Sequence, residues 1–235
     1  LGEGYQVTAQ VNRVNPGGDA QTAHRDYHLG FMAPEQLRLY PTHVHQLSPV
    51  LTLQGAIAHC DMPVESGPTL FLPYSQAFLE GYVTCSRDAF QDWFDTHHVQ
   101  LPLNKGDAVF FNPALMHAAG SNRSQDIYRM ANLLQVSSAF GRAIEAVDRT
   151  RMSQLIYPAL LDAKQNGTMS AQEIDSAIAA SAEGYPFPTN LDNDPPVGGL
   201  APKSQAALMR ELLEQASSVD AFNTAITEQA ARKQP

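Results

Sequence analysis

Cysteine is scarce: Cys60 and Cys85 are the only two in 235 residues. Two thiols cannot build a disulfide framework or a cysteine-rich zinc site, which fits a reducing, cytoplasmic setting. Positive charge is scarce too, with 15 Lys+Arg against 24 Asp+Glu and a formal charge of −9. Nucleic acids and anionic membrane surfaces attract proteins through a clustered positive field, so this balance argues against both as partners. No apolar run approaches the roughly 18 residues of a membrane-spanning helix. An initiator methionine is lacking as well; the chain opens at Leu1, so nothing follows about a signal peptide.

What is present suits a folded protein. Apolar residues make up 43% and charged residues 17%, enough for one sizeable core plus an appendage. Residues 1–138 read as β. Apolar residues alternate at Tyr5, Val7, Ala9 and Val11, and further strands are expected at Val50–Ala58, Thr69–Leu72, Asp107–Phe111 and Tyr128–Val136. Turn chemistry such as Asn15-Pro16-Gly17-Gly18 and Glu65-Ser66-Gly67-Pro68 separates them. Many short strands with this punctuation predict an antiparallel sandwich or barrel. Arg87–Phe94 reads as a short helix whose Trp93 and Phe94 enter the core. Residues 139–235 read as a helical extension. It has helices over Ala143–Leu161 and Ser170–Ala182, the latter opened by a Ser170/Glu173 capping box. A proline-rich linker over 185–202 leads to a last helix, Ser204–Ala216, with Leu208, Leu212 and Gln215 along one side. That face reads as an intramolecular contact or a homodimer interface.

The chemistry lies in the histidines, of which there are eight. On a strand, residues i and i+2 share a face, so His24 and Asp26 reach one point in space. A second, distant histidine would complete the facial triad of non-haem iron oxygenases, which leaves three coordination positions open. His117, just past the Val109–Phe111 strand, is placed for that. A 2-oxo acid cosubstrate would need its far carboxylate held in an apolar pocket, and Arg129 at the start of the next strand offers the bidentate fork. Other readings stay open. His43-x-His45 would suit a cupin-type site together with His117. His59-Cys60-Asp61 is a second His-x-Asp, read as structural, and His97-His98 as solvated. A jelly roll that only binds, without catalysis, is the third class.

Three ordered blocks give a resemblance. They are Ala23-His24-Arg25-Asp26-Tyr27-His28; Asp61-Met62-Pro63-Val64-Glu65-Ser66-Gly67-Pro68-Thr69-Leu70-Phe71-Leu72-Pro73; and Lys105-Gly106-Asp107-Ala108-Val109-Phe110-Phe111-Asn112-Pro113, running on through His117, Asn122, Ser124 and Arg129. Over roughly residues 5–138 the chain resembles the phytanoyl-CoA dioxygenase family of Fe(II)/2-oxoglutarate oxygenases. The resemblance implies a mainly β fold: a double-stranded β-helix, or cupin-like jelly roll, with flanking α-helices. It implies Fe(II) on His24, Asp26 and His117, 2-oxoglutarate on Arg129, and O₂. The products would be succinate, CO₂ and a hydroxylated small or medium-sized metabolite. Asp26 favours hydroxylation, since the related halogenases resemble this pattern with a small residue there. The family's Pro-Gly-Ser-His stands here as Pro73-Tyr74-Ser75-Gln76. Ala119 and Ala131 stand where a small polar residue is usual, so Gln10, Asn12 or Thr22 is expected to supply the second cosubstrate contact. Tyr27, His28 and Arg123 are expected at the substrate. Family members have more chain before the His-x-Asp, so an N-terminal helical part is expected to be missing.

Overall fold

A computed structural model describes residues 6–28, 30, 32–141 and 146–234. It divides into two compact units, one from Thr8 to Ile144 and one from Glu145 to Pro235, which also takes in the start of the first strand.

Among the described residues seven strands, all but the start of the first in the first unit, are β1 (Gln6–Val14), β2 (Thr52–Ala58), β3 (Leu70–Phe71), β4 (Val99–Gln100), β5 (Ala108–Phe111), β6 (His117–Ala118) and β7 (Arg129–Ser137). They form a four-stranded sheet in the order β1-β7-β2-β5 and a three-stranded sheet in the order β4-β3-β6. Central β2 pairs antiparallel with both neighbours, placing Gln54 opposite Phe111 on one side and opposite Gln135 on the other. Alternation then puts Thr52, Gln54 and Ala56 on one face with Phe111, Val109, Gln135, Leu133, Ala131 and Arg129. In the smaller sheet Phe71 pairs with His117 and Val99.

Five helices punctuate these strands: α1 (Pro34–Leu37), α2 (Thr42–His45), α3 (Ser48–Leu51), α4 (Gly81–Thr84) and α5 (Asp88–His97). A small core of Ala23, Leu72, Phe94, Met116 and Ala118 forms beneath α5. The Gln91 side-chain amide ties that helix to the carbonyls of Ala23 (2.9 Å) and Cys85 (2.7 Å). Ala23 precedes His24, Met116 and Ala118 flank His117, and Leu72 follows β3, so the packing fixes the backbone from which His24 and His117 project. Each fully buried large apolar side chain contributes roughly 1.5–3 kcal/mol.

The second unit is helical: α6 (Arg149–Asn166), α7 (Ala171–Ser181), α8 (Gln205–Glu214) and α9 (Val219–Arg232). Asp148, Ser170, Ser204 and Ser218 each cap a helix by accepting a backbone N–H. Such a cap is worth about 1 kcal/mol. Tyr157, Leu160, Ile178, Met209, Leu213, Phe222 and Ile226 make the core, with the Tyr157 and Phe222 rings stacked at 3.8 Å.

Several expectations need correction. The chain is not mainly β: helix takes 38% and strand 17%, because α6–α9 make the second unit helical, α1–α5 fill connections in the first, and all three strands of the smaller sheet are only two residues long. The structure shows antiparallel sheets, and the closed jelly roll is not established by it. Val50 and Leu51 are helical rather than strand, since Pro49 opens α3 there. Trp93 is 56% exposed, while its neighbour Phe94 is buried, because adjacent helix positions point about 100° apart. Ser204–Ala216 is not the last helix; α9 follows it. On α8 the most buried side chains are Met209 and Leu213, with Leu208 and Leu212 packed at the edge of the same core. Tyr5 and residues 142–145 lie outside the described residues.

Candidate metal centre

His24 and His117 face each other across an antiparallel bridge. Each backbone N–H donates to the other's carbonyl at 2.9 Å. Two residues on, the Asp26 N–H reaches Pro113 O at 3.1 Å, which holds Asp26 on the face that carries His24. One ligand atom from each of His24, Asp26 and His117 lies within 4.8 Å of the other two. His24 Nε2 stands 3.7 Å from Asp26 Oδ1, and His117 Nε2 stands 3.8 Å from Asp26 Oδ2. These gaps are too long for hydrogen bonds and suit an ion among the three atoms.

The ring tautomers follow from the backbone. His24 Nδ1 lies 2.8 Å from Thr22 O, and His117 Nδ1 lies 2.7 Å from Leu115 O. A carbonyl only accepts, so each Nδ1 carries the proton and each Nε2 presents its lone pair toward Asp26. Burial pushes the His117 imidazole below its usual pKa, with the nearby His24 adding to the effect, so the ring is neutral as a metal ligand must be. Phe111 packs edge-on against His117 at 4.8 Å, and Phe71 against Phe111 at 4.9 Å.

Gln54 completes the surroundings of Asp26. Its Nε2 donates to Asp26 Oδ2, while its Oε1 is buried with no hydrogen-bond partner among the described residues. Gln54 was not singled out in the sequence. The available signal was a polar residue on an inward position of an otherwise apolar strand, next to Thr52. Two narrow clefts flank Asp26. One of about 30 Å³ is lined in part by Tyr27, His45 and Tyr82, and one of about 10 Å³ by His28, Thr52, Gln54 and Gln135. Each has room for a water or two.

Arg129 shares the sheet face on which Gln54 and Phe111 meet the triad. It is 7% exposed and donates through Nη1 to Ser66 O and Gly120 O, both at 3.2 Å. Among the described residues no carboxylate pairs with it. Burial lowers its pKa, and a guanidinium stays charged in a protein interior. A buried, uncompensated cation is costly and calls for an anion.

The remaining candidates fall elsewhere. Gln10 and Asn12 are exposed on β1, and the Thr22 side chain is exposed while its carbonyl orients His24. Arg123 is exposed and uses its backbone N–H on Glu65 O. His28 is occupied at both ring nitrogens, by Ser48 Oγ and Thr52 Oγ1, each at 3.0 Å. Tyr27 bonds His45 Nδ1, and burial together with Tyr82 pushes its hydroxyl up to about 12. His45 is buried, donates Nε2 to Leu37 O and stacks on Tyr82 at 3.9 Å; His43 is exposed. The pair therefore cannot converge on one ion with His117. Asp61 accepts the Lys105 N–H in a turn, and His59 is exposed.

Residues 1–131 match the family model described as phytanoyl-CoA dioxygenase. The chain belongs to that family. Among curated relatives of this family member is dioxygenase FrzG from Cladobotryum sp, 27% identical over 135 residues, a stretch covering 54% of this chain and 39% of that one. The chain thus spans well under half of that relative's length. Solved structures give weaker likenesses. EvdO2 from Micromonospora carbonacea var. aurantiaca, complexed with 2-oxoglutarate, is 21% identical with a TM-score of 0.41, covering 58% of this chain and 53% of that one. AviO1 from Streptomyces viridochromogenes Tue57 is 15% identical with a TM-score of 0.40 and the same two coverages.

Chemically, two imidazoles and one carboxylate from one side are a donor set that fits Fe(II) and leaves positions open. Their Nδ1 anchors and the Gln54 amide orient all three side chains.

Proposed function

We propose that this chain is the metal- and cosubstrate-binding part of an Fe(II)- and 2-oxoglutarate-dependent oxygenase that hydroxylates a C–H bond of a small or medium-sized metabolite. The observation that carries the reading is the convergence of His24 Nε2, His117 Nε2 and a carboxylate of Asp26 on one point. When bound, the iron with its 2-oxo acid supplies the oxidising chemistry, in which O₂ is consumed and 2-oxoglutarate leaves as succinate and CO₂. The protein's own residues do the rest. His24, Asp26 and His117 hold the ion from one side. Arg129 takes the distal carboxylate of 2-oxoglutarate, which neutralises its buried charge. Phe111 and Phe71 keep water from the His117 side, and Gln54 holds Asp26 in its ligating orientation. Acyl-CoA is disfavoured as substrate, because its phosphates need a basic patch and the chain is acidic overall.

An anaerobic optical titration tests this. Fe(II) and 2-oxoglutarate added to the purified protein should give the weak visible charge-transfer band of the chelate. Arg129→Met should need far more 2-oxoglutarate to reach it, and Asp26→Ala should lose it. Iron bound without a band would overturn the cosubstrate assignment. No iron bound at all would leave a jelly-roll-like binding protein as the reading.

A further inference from the structure

Between His24 and Asp26 stands Arg25, whose side chain leaves the extended backbone on the opposite side from theirs. It enters a cavity of about 500 Å³ within the first unit, walled chiefly by Leu72, Phe78, Phe90, Trp93 and Met116. That volume is in the range of pockets that enclose small organic ligands. The walls come from α5, the segment after β3 and the residue before His117, so the cavity backs directly onto the metal-ligand strands.

Arg25 is 9% exposed, and its side chain makes one hydrogen bond among the described residues, from Nη2 to Ser75 O. A guanidinium carries five N–H donors, so most of its capacity is left for something else. No carboxylate pairs with it among the described residues. Cys85 lies beside it, and burial pushes that thiol up despite the cation, so it supplies no counter-charge. The backbone is shaped around this group. A Cβ on Gly81 would fall 2.1 Å from Arg25 Cζ, so the guanidinium rests against the bare Gly81 backbone and a side chain there would displace it. A cation seated in this way at one end of an apolar cavity matches a ligand with an apolar body and one anionic end.

We propose that this cavity is a second ligand site, distinct from the metal centre, which binds an apolar monocarboxylate through Arg25. The carboxylate takes the planar fork bidentately and the hydrocarbon body fills the space between Phe78, Phe90 and Trp93. The site does not depend on iron or 2-oxoglutarate, so its test is separable from that of the proposed oxygenase.

Trp93, the single tryptophan of the chain, lines the cavity and reports on it directly. Metal-free protein is titrated with decanoate and with decanol while Trp93 emission is followed. Decanoate should give a saturable blue shift and bind roughly tenfold or more tightly than decanol, as expected for a charge-assisted pair. Arg25→Met should erase that difference. Gly81→Ala, which keeps the arginine but evicts its guanidinium, should weaken decanoate by a similar factor and leave decanol unchanged. Far-ultraviolet circular dichroism checks that each variant is folded, and the comparison of the two ligands on unaltered protein needs no variant. No saturable shift, equal affinity for acid and alcohol, or unchanged decanoate binding by folded Arg25→Met would each overturn the proposal.

Discussion

Replacing Gln54 with leucine separates metal affinity from fold stability. The Gln54 amide donates to Asp26 Oδ2, and its Oε1 is buried without a partner among the described residues. Gln54→Leu keeps nearly the same volume, so the cavity term is small. Loss of a hydrogen bond to a charged group costs about 1.5–3 kcal/mol. Removal of an unsatisfied buried acceptor returns about 1–3 kcal/mol. The two nearly cancel, so apo-protein stability should change by less than about 1 kcal/mol. Metal affinity has no such compensation. An outer partner that orients a ligating carboxylate is worth about 10–100-fold in affinity, or roughly 1.4–2.7 kcal/mol. Anaerobic calorimetric titration with Fe(II), beside urea unfolding of the metal-free protein, measures both quantities. Fe(II) affinity within twofold of the unaltered protein would refute the orienting role. A stability loss of several kcal/mol would refute the claim that the orphaned oxygen offsets the lost bond.

Three further outcomes are expected. Gly67 has φ +74°, and a Cβ there would meet the carbonyl oxygens of Gly120 and Ser121 at 2.4 Å; Gly67→Ala should cost more than about 2 kcal/mol by urea unfolding and weaken 2-oxoglutarate binding, because Ser66 O and Gly120 O are the acceptors of Arg129. In the helical unit Phe222 is fully buried against Tyr157, so Phe222→Ala should lower stability by about 3–5 kcal/mol in thermal or denaturant unfolding followed by circular dichroism. Burial raises the Tyr157 hydroxyl above its ordinary value, so the folded state holds its proton longer than the unfolded chain does; that stabilisation is complete below about pH 10 and is lost as pH rises through the folded value, and unfolding measured from pH 9 to 11 should show a component of the decline that Tyr157→Phe lacks.

The elements with a strong local code were legible in the sequence. β2, β5 and β7 announce themselves by apolar runs between turn residues, and α7 by its Ser170/Glu173 box. The short helices α1–α4 were not legible, because each is a single turn whose four residues carry no period. α9 was missed because its apolar residues, Val219, Phe222 and Ile226, are thinned by Thr, Asn and Gln, and it is made helical by its packing against α6. Trp93 was misplaced for a related reason: a run of adjacent aromatics does not say which one a helix turns inward.

By itself the sequence determined which residues can do chemistry. The i, i+2 spacing of His24 and Asp26 follows from the pleat alone, and the pairing of a cation with a later strand follows from the choice of arginine at position 129. Only the tertiary structure decided that His117 lies directly opposite His24, that His45 spends both nitrogens on Leu37 and Tyr27, that Gln54 holds Asp26, and that Arg25 opens onto a cavity of its own. Strand pairing and side-chain hydrogen bonds join residues far apart in the chain, so no local pattern encodes them. The alternation of a strand names the residues on each face, and what lies against that face is fixed by the fold.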